Sequence, residues 1–184
     1  PENREDRRHY SRFFPRRLTA EVLSDAIADV TGVRDKYVEI SNNDGSTEKT
    51  TFYTNNFRAL QLYDSTVKSY FLKTFGRNSR DITCECERSN QPSLVQALHL
   101  SNGDAINDKL AGKESRVTKL LEANPSSEKL IQDAWMLCFS RPPTPTEQTQ
   151  FLPLLNDAPG DEKRKVAEDM FWSLLTSREF IFQH

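Results

Sequence analysis

The segment Thr83–Ser89 holds the densest group of side chains in the sequence that could do chemistry, with Cys84, Cys86 and Arg88 spaced two residues apart. If the segment is extended, side chains alternate between two faces, so these three share one face. Two thiols beside a guanidinium could have a lowered pKa and act as a redox pair or as soft-metal ligands. A Cys84–Cys86 disulfide would lie near the upper limit of allowed Cα separation and would be easily reduced. The plainer interpretation, which we favour, is two buried thiols and an arginine that ties loops together.

Two carboxylates, Glu85 and Glu87, alternate with these residues and would lie on the opposite face of the extended segment. Paired carboxylates are the catalytic groups of glycosidases. Two acids placed two residues apart on an exposed strand are more often a solvated edge. We therefore assign no catalytic residue here.

A third group of polar residues, His99, Asn102 and Asp104, stands where one predicted helix ends and another begins. Histidine, amide and carboxylate side chains at a helix end could bind a metal or a sugar. More often they are helix caps and a hydrogen-bonded core histidine. The other histidines are His9 and His184, so a catalytic triad is difficult to build, and we predict no metal site and no cofactor.

Composition and the lack of certain motifs exclude several classes of protein. The chain has 184 residues and a net charge of -2, with 25 Lys+Arg against 27 Asp+Glu, which argues against a general nucleic-acid binder. No apolar run is long enough to predict a membrane span. The sequence contains no G-x-S-x-G, P-loop or H-E-x-x-H pattern, and the lack of C-x-x-C-H excludes a covalent c-type haem on this chain. Three cysteines are too few for a disulfide framework.

The elements that must position these side chains are predicted to be mainly helical. We expect a helical bundle-like single domain over residues 1–184, with a small β-hairpin insertion near residues 36–57. It divides into an Arg-rich N-terminal segment (1–17), a helix plus hairpin (18–63), short helices around the Cys84/Cys86 segment (64–123) and C-terminal helices (124–184). In the N-terminal segment we expect aromatic side chains to dock on the body and arginines, Arg17 among them, to stay solvated.

Local sequence signals predict the boundaries of several helices and strands. Thr19 and Gly32 predict the start and the end of a helix over 20–31. The Asn42–Ser46 turn predicts a hairpin with strands at 36–40 and 50–53, and 57–63 is a candidate third extended piece. The calcium-loop interpretation of this turn fails, because neither end of the loop would carry an acid. Thr144–Glu147 is a capping box with proline at its second position, and Pro153 is expected to kink or end the helix that follows.

Several of these stretches together resemble the planctomycete surface domain, a domain of unknown function numbered fifteen fifty-three. The resemblance rests on motifs that occur in order over nearly the whole chain: Tyr10–Ile27, Phe71–Arg77, Cys84–Ser89, Pro92–Leu100, Asn102–Asp104 and Ser140–Thr144. The hairpin looks longer than is usual for that family, and could be a local recognition loop. Cys138 lies where no family cysteine is expected, which favours a core role for it and leaves Cys84 and Cys86 as the natural pair.

The resemblance implies a C-terminal domain of a large bacterial extracytoplasmic or cell-surface protein whose activity is not established. Such domains follow a partner domain in the same polypeptide, and sometimes a cytochrome-c-like or carbohydrate-binding-like module. Two hypotheses follow. The first is a non-catalytic interaction domain that packs against its upstream domain and assists polysaccharide binding. The second is part of an enzyme or redox assembly in which Cys84, Cys86, Arg88 and His99 lie near a site completed by the upstream module. We favour the first.

Overall fold

The computed structural model describes residues 13, 15–42, 44–63, 66–77, 96, 104–123 and 126–183. These residues form helices α1 (Ala20–Thr31), α2 (Tyr70–Thr74), α3 (Asp104–Ala111), α4 (Arg116–Glu122), α5 (Ser127–Phe139), α6 (Pro145–Asp157), α7 (Gly160–Leu175) and α8 (Arg178–Ile181), a 3-10 helix (Ala59–Gln61), and strands β1 (Glu39–Ser41) and β2 (Thr47–Lys49). The predicted mainly helical fold with a small hairpin is confirmed. No helix in the described ranges is long and apolar enough to cross a membrane.

Helix α1 follows the predicted boundaries. Leu23 and Ile27 are buried on its inner face, and Gly32 ends it with a left-handed φ of 74°. A side chain at Gly32 would be strained by that φ, and its Cβ would lie 3.4 Å from the backbone nitrogen of Arg116. Thr19 occupies the N-cap position, so the predicted start of the helix is confirmed, but its side chain makes no capping hydrogen bond.

The hairpin is shorter and closer to its turn than the strand propensities indicated. β1 and β2 pair antiparallel with Glu39 opposite Lys49, and Ile40 forms an isolated bridge with Val67. The expectation of an extended piece at 57–63 was wrong, because residues Ala59–Gln61 form a 3-10 helix. The carboxylate of Asp25, distant in sequence, holds this 3-10 helix by accepting two of its backbone N–H groups.

The C-terminal helices pack around α7, which contacts α3, α4, α5, α6 and α8. The predicted capping box is confirmed: Thr144 Oγ1 accepts from the Glu147 N–H at 3.3 Å, and the Glu147 carboxylate accepts from the Thr144 N–H at 2.7 Å. α6 does not end at Pro153 but continues to Asp157. Leu155, beyond the proline, is 1% exposed, so its burial offsets the hydrogen bond that proline removes.

Candidate functional site

The candidate cluster from the sequence falls almost entirely on residues that the structure does not describe. Cys84, Glu85, Cys86, Glu87, Arg88, His99 and Asn102 lie outside the described residues, and of Asp104 only the backbone position at the start of α3 is described. Their grouping and the Cys84–Cys86 disulfide therefore stay predictions. Within the described ranges, no group of three or more His, Cys, Asp or Glu side chains could hold a metal ion.

A second candidate emerges from the structure at residues 50–63, which we call the aromatic loop. Phe52 and Tyr63 are 58% and 57% exposed. Their ring centroids lie 5.4 Å apart with the ring planes at 89°. Edge-to-face contact is a favoured geometry for aromatic pairs and restricts both rings. Two large exposed rings in contact are more than the scattered single apolar residues that ordinary surfaces show.

Buried aromatic rings support this exposed pair. Tyr53 is 7% exposed and its ring lies 5.1 Å from that of Phe52 and 5.9 Å from that of Tyr63. On its other sides Tyr53 meets Phe57 at 5.1 Å and Tyr37 at 6.4 Å. Burial, and secondarily a neighbouring carboxylate, raises the pKa of Tyr37 to about 12. Tyr37 therefore stays a neutral phenol, suited to a packed support.

A carboxylate on α1 anchors the loop. Asp25 is 4% exposed and accepts the backbone N–H groups of Ala59 at 2.7 Å and Leu60 at 3.1 Å. It thereby caps the amino end of the 3-10 helix, where N–H groups lack partners within the helix. The Arg58 guanidinium lies beside the same carboxylate at 3.5 Å and donates to Asp29 at 2.9 Å. The aromatic loop is thus fixed to a buried helix at its centre.

A small cleft lies between α1, α2 and α3, with a volume of about 20 Å³ and a lining of Ser24, Ile27, Asp35, Phe71 and Lys109. A space of that size admits about one water molecule. The Lys109 ammonium lies 2.7 Å from the Asp35 carboxylate, and the Ser24 hydroxyl donates to the same carboxylate at 3.0 Å. Because the serine and the lysine both bind Asp35, the cleft is a polar tie between helices and not a serine–lysine catalytic pair.

The motif Phe71–Arg77 covers most of α2 and the three residues after it, and side chains from elsewhere cap the carboxyl end of this helix. Arg17 donates to the Phe75 carbonyl at 2.8 Å and lies over the Phe75 ring at 5.2 Å. Gln96 donates to the Thr74 carbonyl at 3.0 Å. A cation at a helix carboxyl end is favourable. The expectation that Arg17 stays solvated was wrong, because its side chain is buried by this capping role and burial lowers its pKa.

Arg17 and Thr144, which belong to two of the motif segments, therefore cap helix ends. The sequence model of the family described as "Protein of unknown function (DUF1553)" matches residues 2–155. The chain belongs to this family. The match to DUF1553 includes residues 84–104, which carry the candidate cluster, and it confirms the family recognised from the motifs. Neither the search of curated proteins nor the search of solved structures finds a match.

In this DUF1553 domain the sequence interpretation missed the aromatic loop as a surface. The sequence predicts a strand at 50–53 and a candidate extended piece at 57–63, and in a strand alternate side chains point to the same face, which is normally buried. A usable signal was present: residues 50–63 contain Phe52, Tyr53, Phe57 and Tyr63 and a single charged residue, Arg58. Aromatic density without charge in a short segment is typical of an interaction surface.

Cys138 gives a testable consequence for the thiols. It is partly buried against the core and free, and burial raises its pKa to about 12. At pH 8 only about 10⁻⁴ of this thiol is ionised, so we expect iodoacetamide to label Cys138 slowly in the native protein and rapidly in denaturant. Peptide mapping by mass spectrometry separates it from Cys84 and Cys86, and a Cys138→Ser variant is the control. Native labelling of Cys138 within minutes would contradict this prediction.

Proposed function

We propose that this protein is a non-catalytic interaction domain of a bacterial extracytoplasmic or cell-surface protein and that its aromatic loop assists polysaccharide binding. The observation that carries the proposal is the pair of exposed rings, Phe52 and Tyr63, held at 5.4 Å on a buried aromatic support. Binding residues commonly stand on loops that a rigid scaffold positions. Here α1 is the scaffold and Asp25 is the attachment.

Sugar rings suit such a surface because they are amphipathic. One face of a pyranose presents C–H groups, and these pack against the electron-rich face of an aromatic ring, while hydroxyl groups around the edge remain hydrogen-bonded. The Tyr63 side chain adds a phenolic hydroxyl that can donate or accept. Fixed rings lose little conformational freedom on binding, so a larger part of the contact energy contributes to affinity.

The domain's setting is part of the same proposal. We place it outside the cytoplasm and against an upstream domain of the same polypeptide, on the strength of the family resemblance. The net charge of -2 gives no reason to expect a nucleic acid as partner. A polysaccharide of the cell surface or surroundings is the ligand that both the setting and the exposed rings favour.

Binding across a panel of immobilised polysaccharides tests the proposal. We expect at least one polysaccharide to bind, and Phe52→Ala and Tyr63→Ala each to weaken that binding by about tenfold, the equivalent of losing one ring contact. Tyr70→Ala is the matched control, because Tyr70 is a tyrosine 67% exposed on α2, outside the loop. Circular dichroism verifies that each variant is folded.

A second pair of variants separates ring stacking from simple apolar contact. Phe52→Tyr keeps the ring face and should bind within about twofold of the wild type, whereas Phe52→Leu keeps apolar volume without a ring and should bind about as weakly as Phe52→Ala. A panel with no binding at all, or binding that is equally strong in Phe52→Ala and Tyr63→Ala, would overturn the proposal.

A further inference from the structure

We infer that the polysaccharide is a neutral one and that the aromatic loop binds it as a separate chain, not as part of a flat crystalline surface. This rests on the proposed function and adds the chemical class of the ligand. Two independent observations carry it: the charge of the loop and the angle between its rings.

The aromatic loop is almost free of charge in a chain of which 28% is charged. Its single charged residue is Arg58, whose guanidinium is paired with Asp25 and Asp29 on α1. Lys49 and Asp64, which stand on either side of the loop in the sequence, carry opposite charges. An anionic polysaccharide would be expected to meet unpaired lysine or arginine side chains, as charge complementarity at interfaces requires.

What the loop offers instead of charge is neutral hydrogen-bonding groups. Thr51, Thr54, Asn55 and Asn56, which belong to the same loop, are all exposed. Hydroxyl and amide groups both donate and accept, which matches the hydroxyl groups of a neutral sugar. Rings for the apolar face and amides for the hydroxyl edge together describe a surface complementary to an uncharged glycan.

The ring geometry selects the physical form of that glycan. The planes of Phe52 and Tyr63 are at 89°, so only one of the two can lie parallel to a flat surface. A crystalline polysaccharide face would therefore leave one ring without a stacking partner. A separate chain can turn about its glycosidic bonds and place one sugar on each ring, which uses both.

The experiment compares soluble neutral, soluble anionic and crystalline polysaccharides with the same protein. We measure affinity for a soluble mannan, xylan and mixed-linkage glucan, for alginate and polygalacturonate, and for crystalline cellulose by pull-down. We expect a soluble neutral polysaccharide to bind, to lose about tenfold in affinity in Phe52→Ala or Tyr63→Ala, and to change by less than about twofold between roughly 0.05 and 0.5 M salt. Tyr70→Ala should bind like the wild type.

The outcomes separate this inference from the proposed function. Binding that depends on Phe52 and Tyr63 but occurs only with an anionic polysaccharide, and falls steeply with salt, overturns the neutral ligand and leaves the proposed function intact. Binding to crystalline cellulose in preference to soluble chains overturns the single-chain form in the same way. Absence of binding to every polysaccharide overturns both. Binding of the soluble neutral chain, insensitive to salt and dependent on both rings, supports both.

Discussion

Replacing Asp25 with alanine is expected to destabilise the protein by about 3 kcal/mol, a large effect for one of the side chains that support the aromatic loop. Asp25 is 4% exposed, and its carboxylate satisfies the N–H groups of Ala59 and Leu60. Alanine would leave the buried N–H of Ala59 and the partly buried N–H of Leu60 without their partner, and Arg58 would lose one of its two carboxylates. Loss of the cap should also loosen the 3-10 helix and with it the ring pair.

Urea denaturation at neutral pH measures this effect. Asp29→Ala is the matched control, since Asp29 lies one turn further along α1 with its side chain 46% exposed and pairs with Arg58 and Arg34. Exposed pairs of that kind contribute about 0 to 1 kcal/mol. Asp25→Asn keeps the shape and one acceptor oxygen, so it should fall between the two. An Asp25→Ala protein as stable as the Asp29→Ala protein would show that the cap is not what holds the loop.

The same variant tests whether the loop's order matters for binding. Asp25 is buried beneath the loop and would not touch a sugar, so a folded Asp25→Ala protein should bind polysaccharide more weakly only because its rings are less fixed. The effect is a loss of preorganisation.

The contrast between helix ends and the aromatic loop explains how far sequence could predict this fold. Gly32 and the Thr144–Glu147 capping box are signals contained within a few residues, and the structure has helix boundaries at both. The 3-10 helix at 59–61 depends on Asp25, which is 34 residues from Ala59. Propensity at 57–63 favoured a strand, and a tertiary hydrogen bond that no local pattern encodes overrode it.

The same limit applies to the candidate sites. The cysteine, histidine and acidic residues were identified by type and spacing, but their grouping lies outside the described residues. The position of Arg17 in an Arg-rich terminal segment predicts a solvated side chain, whereas its capping of α2 depends on Phe75, 58 residues away. The exposed ring pair could be inferred from composition only as aromatic density, since which rings face solvent is decided by packing on Tyr53.

Arg141 binds one carboxylate close to it in sequence, Glu147, and one far from it, Glu179. Its replacement gives the second large expected effect on stability. Its guanidinium forms two hydrogen bonds to each of two carboxylates, at 2.9 and 3.0 Å to Glu147 and at 2.7 and 2.8 Å to Glu179. Planar, bidentate pairs of this kind are the strongest that side chains make. With 33% of the Arg141 side chain exposed, solvent screens part of this energy, and we expect Arg141→Ala to cost about 2 kcal/mol at neutral pH.

The pH dependence of that loss distinguishes an ion-pair role from simple packing. The Arg141 guanidinium, assisted by Thr144, holds the pKa of Glu147 well below its ordinary value of 4.5. Because the unfolded chain then binds more protons than the native one at acidic pH, the stabilisation is complete above pH 4.5 and is lost as pH falls below it. In Arg141→Ala the Glu147 carboxyl should titrate nearer its ordinary range, so the difference in stability between wild type and variant should narrow as the pH falls from about 4.5 to 3.

Urea denaturation of both proteins at several pH values measures the gap. Lys129→Met is the control, because Lys129 and Asp133 form an ion pair one turn apart on the surface of α5, and such pairs contribute about 0.3 to 0.5 kcal/mol. A gap between Arg141→Ala and wild type that is as wide at pH 3 as at pH 7 would mean that Arg141 stabilises the protein through its packing on Phe139, whose ring lies 5.3 Å from the guanidinium. A gap that closes with acid would locate the stabilisation in the two carboxylates, and so in the tie that joins the start of α6 to α8.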